Sequence, residues 1–192
     1  MSRNPGRSTR SGDLQVATGH PANTSWRRKR NRLTPESYVG ANAYLVTVAT
    51  HGRARRFAYA PLVDACTAKL WASARAEVVD VLAFVFMPDY LHLLLLGSET
   101  SSLPRFMKRF KQETGYLFRQ QRGEALWQKG YHDHVLRREE DLGDVARYVA
   151  ANPVRAGLVA GWAEYPFTGG RLLDAARDGD LKVAATSGMA PP

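Results

Sequence analysis

Tyr148 and Asn152 stand four residues apart in Ala146-Arg147-Tyr148-Val149-Ala150-Ala151-Asn152-Pro153, a spacing that puts both side chains on one face of a helix. Far upstream, Met87-Pro88-Asp89-Tyr90-Leu91-His92-Leu93-Leu94-Leu95-Leu96 sets a histidine inside an apolar strand. Side chains alternate between the faces of a strand, so Tyr90, His92 and Leu94 share one side. Joined in space, the two stretches offer a phenolic nucleophile beside an imidazole able to bind a metal and an amide oxygen. Taken singly, each residue has an ordinary explanation. A strand histidine is commonly a hydrogen-bonded structural residue, a tyrosine on an amphipathic helix commonly packs, and an asparagine before proline commonly ends a helix. It is the combination that points to chemistry.

The elements that must position these residues are legible. Ala43 to Thr50 reads as a strand from its β-branched and aromatic content, followed by a basic turn over His51 to Arg56. Pro61 opens a helix to about Ala76. Val78 to Phe86 is a strongly apolar strand, and Met87 to Tyr90 turns it into Leu91 to Leu96. Leu103, Phe106, Met107, Phe110, Thr114, Leu117 and Phe118 recur at helical spacing between Ser102 and Gln121. A short strand is expected around His134 to Arg137, and a helix from Glu139 or Glu140 to Ala151, acidic at its start as the helix dipole favours. Proline at 153 predicts that this helix stops at Asn152. One more short helix is expected near Leu172 to Ala176. Strand, helix, hairpin, helix, strand is the order of a ferredoxin-like α+β fold: an antiparallel sheet with two helices on one face, the other face left for function, and an added C-terminal helix carrying Tyr148.

Length and charge place this domain within the chain. The 192 residues fit one domain with extensions. Most of the formal +9 charge lies in residues 1–36, where eight Lys and Arg, including Arg27 to Arg30, face only Asp13 and Glu36. That stretch has too few large apolar residues to offset the entropy of ordering and is expected to be a disordered basic arm. Residues 37–174 are the expected domain and 175–192 a flexible tail. A basic arm suits a polyanion, since neutralised phosphates release counterions, although a solubilising tail has the same composition. Cys66 is the lone cysteine, which excludes an internal disulfide and a thiolate zinc cluster. No apolar run approaches the ~20 residues that span a bilayer. With no secretory signal pattern, a cytoplasmic, nucleoid-associated setting is expected.

Together with Trp127-Gln128-Lys129-Gly130-Tyr131 and Asn152-Pro153-Val154-Arg155-Ala156-Gly157, the two opening stretches resemble the single-tyrosine HUH transposases, specifically their REP-associated branch, over roughly residues 40 to 168. The resemblance implies cleavage and rejoining of single-stranded DNA through a 5′-phosphotyrosine intermediate, with Tyr148 as nucleophile. It further implies a divalent cation, magnesium or manganese, held by His92 and Asn152. In the family pattern a second histidine stands where this chain has Tyr90, and a neutral phenol is a poor ligand for magnesium. Asp89, His132, His134, Glu113 and His51 are the candidates to replace it.

The implied partner is a DNA hairpin with a single-stranded flank, bound by a monomer or a homodimer. Arg105, Lys108, Arg109, Lys111 and Arg119 on the second helix, with Arg137, Arg138 and Arg155, are candidate phosphate contacts. Trp127 and Tyr131 are candidates to stack on unpaired bases. Two further readings stay open: a DNA-binding descendant that no longer cuts, and a ferredoxin-like RNA-binding or regulatory module.

Overall fold

In the computed structural model, residues 38–137 and 140–179 are described. The expected arm at 1–36, Arg138 and the tail beyond residue 179 lie outside them. Five strands, β1 (Ala43–Ala49), β2 (Val79–Met87), β3 (Tyr90–Gly97), β4 (His132–Val135) and β5 (Thr168–Gly169), form an antiparallel sheet in the order β4-β1-β3-β2-β5. The first four follow the ferredoxin-like arrangement expected from the sequence, and β5 adds an edge. Pro88 and Asp89 alone separate β2 from β3, so the hairpin aligns Val85 opposite His92 and Met87 opposite Tyr90.

On one face lie α1 (Ala60–Glu77) and α2 (Leu103–Arg122). Strand alternation sends Tyr44, Val46, Val48, Phe84, Phe86, Leu91, Leu93 and Leu95 toward them, where they meet Leu70, Phe106, Met107 and Phe110. The helical apolar spacing in α2 is thus spent wholly on this core. Burying each such aliphatic or aromatic side chain contributes roughly 1.5–3 kcal/mol before the entropy of ordering is counted.

The opposite face, expected to be left for function, carries the C-terminal helices. Helix α3 (Leu142–Ala150) and α5 (Arg171–Arg177) pack on it through Val145, Ala146, Val149 and Leu173 against Leu82, Ala83, Val85 and Leu94. A bulge between Val81 and Ala83 makes this possible, because it turns two consecutive residues, Leu82 and Ala83, to the same side. Gly170, at φ +112°, closes onto that bulge. A Cβ there would sit 2.7 Å from the Ala83 Cα, so only glycine fits.

Three local expectations shift. Strand β4 lies two residues earlier than expected, at His132–Val135, because it must pair with Tyr44 to Thr47 of β1. Helix α3 begins only at Leu142, where the Asp141 carboxylate accepts from the Asp144 N–H at 3.0 Å and caps the N-terminus. Asn152 does not end the helical path. The chain passes straight into a short α4 (Asn152–Arg155), with Pro153 in its first turn, where a missing N–H costs nothing.

Candidate functional site

Register places the site row by row. Thr47 of β1 lies between His132 of β4 and His92 of β3, and His92 lies opposite Val85 of β2, so these four share the sheet face that carries α3. Two residues along β3, Tyr90 is on the same face. The His92 Nδ1 is 2.7 Å from the Thr47 hydroxyl, which orients the ring. Tyr90 and His92 rings meet edge to face at 4.9 Å, and the Tyr148 ring reaches His92 from α3 at 6.1 Å. The sequence expectation that Tyr148 and His92 would come together holds in this geometry.

Asn152 completes the group for a reason set by the backbone. In a continuous helix the N–H of residue 153 would donate to the Val149 carbonyl, but proline has none. The Asn152 side chain supplies it instead: Nδ2 donates to the Val149 carbonyl at 3.1 Å and to the Tyr148 carbonyl at 2.9 Å. This fixes the amide with Oδ1 pointing outward, where it accepts from the Tyr90 hydroxyl at 3.3 Å. Tyr90, the residue that departs from the family pattern, is therefore bonded to the amide oxygen that the pattern assigns to a metal.

Two guanidiniums flank these rings. Arg155 lies over Tyr148 with Cζ 4.4 Å from the ring centroid, and Arg53 lies over Tyr90 at 5.5 Å. Arg53 comes from the turn after β1, which is clamped to the β2–β3 hairpin. The buried Thr50 donates its N–H to the Asp89 carbonyl at 3.0 Å, its hydroxyl lies 2.7 Å from the Ala54 carbonyl and 3.0 Å from that of Asp89, and Phe57 N–H donates to the Pro88 carbonyl at 3.0 Å. Sequence reading noted this turn as basic without assigning it to the site, since nothing local announces that it folds against Asp89.

Burial pushes the His92 imidazole down to about 4. The positive charges of Arg155 and Arg53 add to the effect, and a backbone hydrogen bond at Val46 opposes it. Burial likewise pushes the Tyr90 phenol up to about 12, Asp89 and Tyr148 adding to the rise while Arg155 and Arg53 oppose it. Both groups are neutral at physiological pH.

This donor set does not fit magnesium or manganese well. A hard divalent ion favours carboxylates, phosphates and water, whereas here it would meet one neutral imidazole, one amide oxygen already accepting from Tyr90, a protonated phenol and two cations. Among the described residues, no three His, Cys, Asp or Glu side chains converge to hold a metal. Three of the candidate replacements are committed elsewhere. Asp89 pairs with Arg53 at 3.4 Å, His134 with Glu140 at 3.1 Å, and Glu113 with Lys69 and Arg109 on the other side of the sheet. His132, exposed at the sheet edge, lies one strand beyond Thr47, and His51 lies in the exposed turn after β1.

The candidate DNA contacts divide. Trp127 is a core residue: it is buried, its indole N–H donates to the Thr114 hydroxyl at 2.8 Å, and it packs on Phe57 and Phe110, so it has no face free to stack on a base. Lys111 donates to the backbone carbonyl of Gln128 at 3.0 Å and also to that of Gly130, tying that loop to α2. Arg105 and Arg109 pair with Glu77 at 3.0 and 3.1 Å. Tyr131 is half-buried against the core, and burial pushes its hydroxyl up to about 12. Lys108 and Arg119 are exposed on α2, beside a groove of about 640 Å³ that also takes in Tyr116, Lys129 and Tyr131. Arg137 is exposed after β4. Among the described residues of the set, only Arg155 belongs to the Tyr148 cluster. The α2 residues lie across the sheet from it.

A fold of this order with a helix-borne tyrosine facing a strand histidine defines a class. The chain belongs to the family described as IS200-like transposases, whose model matches residues 40–152, from just before β1 to Asn152 itself. Among curated proteins it is similar to a Haemophilus influenzae protein named, provisionally, as a REP-associated tyrosine transposase, with 24% identity over 105 residues. That match covers 46% of this chain and 57% of the relative, so the chain spans little more than half of the length of the relative it matches. Among solved structures, a REP-associated tyrosine transposase bound to a REP hairpin superimposes with a TM-score of 0.64 at 16% identity, covering 88% of this chain and 94% of that one. A protein of Deinococcus radiodurans R1 described provisionally as a transposase aligns at a TM-score of 0.46 and 23% identity, over 64% of this chain and 95% of that one.

Proposed function

We propose that this protein binds a DNA hairpin and cuts and rejoins the adjoining single strand through Tyr148. The observation that carries this reading is the convergence of Tyr148, His92, Tyr90 and Asn152 from three separate elements onto one sheet face. The similarity to a hairpin-bound REP-associated transposase supports the choice of partner. The exposed Lys108, Arg119 and Lys129 beside the α2 groove suit the stem's phosphates.

In the chemical step the Tyr148 phenolic oxygen attacks phosphorus. A phosphotyrosine bond forms, the bond from phosphorus to the 3′ oxygen breaks, and the phenolic proton ends on that oxygen, leaving a 5′-phosphotyrosine and a free 3′ hydroxyl. Reversal with another 3′ hydroxyl rejoins the strand. Arg155, over the attacking ring, favours the negative charge that develops on the phenol. His92, held neutral and oriented by Thr47, walls the site without adding a charge.

The test is incubation with a hairpin oligonucleotide bearing a single-stranded flank, followed by denaturing electrophoresis. A covalent adduct that disappears in Tyr148→Phe, with binding retained, is the expected result. The bond between Tyr90 and Asn152 favours one competitor, a binding protein that no longer cuts. Hairpin binding without any adduct would establish that competitor instead, and RNA outcompeting hairpin DNA at matched salt would replace both.

A further inference from the structure

Resting on the reading of Tyr148 as the residue that meets DNA, we propose that Arg53 and Arg155 form a clamp for a single-stranded phosphodiester, doing at this site the work that a divalent ion would do. They stand at the two ends of one array of rings. Arg53 lies over Tyr90 at 5.5 Å, Tyr90 meets His92 at 4.9 Å, His92 meets Tyr148 at 6.1 Å, and Arg155 lies over Tyr148 at 4.4 Å. Burial favours the neutral forms of His92 and Tyr90, so an anion at this array meets positive charge from Arg53 and from Arg155, with the Asp89 carboxylate beside Arg53.

The array is built, not incidental. Arg53 occupies the left-handed region at φ +56°, a conformation that costs a non-glycine residue roughly 1–2 kcal/mol, and it follows Gly52 at φ +62°. The buried Thr50 holds that turn in place, its N–H donating to the Asp89 carbonyl and its hydroxyl set between the carbonyls of Ala54 and Asp89. Strain of this kind persists where surrounding structure enforces it, and it concentrates at binding sites. The turn delivers a solvent-accessible guanidinium to the rim beside Tyr90. Arg53 pairs with Asp89 through Nε at 3.4 Å, leaving its two terminal amino groups for a ligand. Arg155 donates to the Tyr148 carbonyl at 3.4 Å, and no carboxylate pairs with it among the described residues.

A guanidinium presents donors in a planar fork that matches two phosphate oxygens, so a pair of them can both orient a phosphodiester and neutralise its charge. The displacement of one histidine by Tyr90 then makes sense. Tyr90 satisfies the Asn152 amide oxygen and offers a ring face for Arg53, two things that suit a cation clamp and not a metal.

The probe is a short fluorescent single-stranded oligonucleotide without a hairpin, with binding followed by anisotropy in EDTA and again in magnesium. The expected outcome is binding in EDTA that magnesium does not strengthen, beyond the competition any added cation brings for phosphates. Arg53→Gln and Arg155→Gln are each expected to weaken binding about three- to tenfold, and each to flatten the log–log salt dependence by about 0.7. Arg155→Lys is expected to keep the salt slope while losing part of the affinity. Thermal midpoints of the variants separate lost contacts from lost folding. Perturbation of the arginine Nε–H NMR signals of the unaltered protein by inorganic phosphate gives a readout that needs no variant. Binding that requires magnesium, or that ignores both glutamine substitutions, would overturn the clamp. An oligonucleotide held by the clamp with no hairpin binding would instead remove the function proposed above and leave the clamp standing. An adduct formed only with magnesium would do the reverse.

Discussion

The two faces of the sheet are built from the same strands and obey opposite rules. Toward α1 and α2 strand β3 presents Leu91, Leu93 and Leu95, and Phe57, Phe106 and Phe110 are wholly buried behind them. Toward α3 the same strand shows Tyr90, His92 and Leu94, and polar groups are satisfied pair by pair: Thr47 with His92, Tyr90 with Asn152. The first face carries the larger apolar core, and the second combines a smaller one with a cluster of polar and aromatic groups. Two aromatic residues make the contrast concrete. Trp127 and Tyr148 both look, in sequence, like residues that could meet DNA. Trp127 is spent inside the first face, and only Tyr148 lies in the cluster on the second.

The comparison is broken most strongly at Phe110. Phe110→Ala removes a wholly buried ring stacked on Phe106 and tilted against Trp127, and is expected to lose about 3–5 kcal/mol in denaturant unfolding. Tyr148→Phe, on the other face, is expected to stay within about 0.5 kcal/mol of the unaltered protein while losing the adduct. Equal losses from the two would erase the division of labour.

One buried titratable group on each face sharpens it. His92 is held down at about 4 against an ordinary 6.5, so its contribution is full above 6.5 and is lost as pH falls toward 4. Cys66, pushed by burial from 9.0 to about 12, behaves in the opposite sense: its contribution is full below 9.0 and fades as pH rises toward 12. Urea unfolding across both windows should show acid and alkaline losses of up to a few kcal/mol. The acid loss should shrink in His92→Gln and the alkaline loss in Cys66→Ala. In the folded protein Cys66 should also resist thiol reagents near neutral pH.

Asn152→Ala is expected to cost about 1–2 kcal/mol, because the Val149 and Tyr148 carbonyls each lose the bond from its amide, Arg155 remaining only at Tyr148. The smallest effect is a gain. Val78 ends α1 at φ +54° with its side chain exposed, a strained place for a β-branched residue, and Val78→Gly should raise stability by about 0.5–1 kcal/mol.

Much of this was legible because the patterns were local. The alternation in β3 and the helical spacing in α2 each need only their own residues, and patterns of this kind predicted the first four strands and the two covering helices; the meeting of His92 with Tyr148 was implied by the resemblance that their two stretches carry together. What escaped depended on distant partners. Strand β5 is two residues long, and only its pairing with Phe84 and Val85 makes it a strand. The bulge at Leu82, which lets α3 pack, leaves no mark in an unbroken apolar run. Arg53 reaches the site because Thr50 grips a carbonyl 39 residues away. The α2 arginines looked available because sequence does not reveal that Glu77, at the far end of α1, lies between them.

The Asn152–Pro153 step ties inheritance of shape to inheritance of reactivity. An amide that stands in for a missing proline N–H cannot turn toward solvent without leaving a carbonyl bare, so its oxygen stays aimed at Tyr90 for as long as the proline persists. Replacing Pro153 by alanine would return the donor to the backbone and set that amide loose. Two adjacent positions in the gene thus govern one hinge between geometry and chemistry, and drift at either should leave its trace at the other.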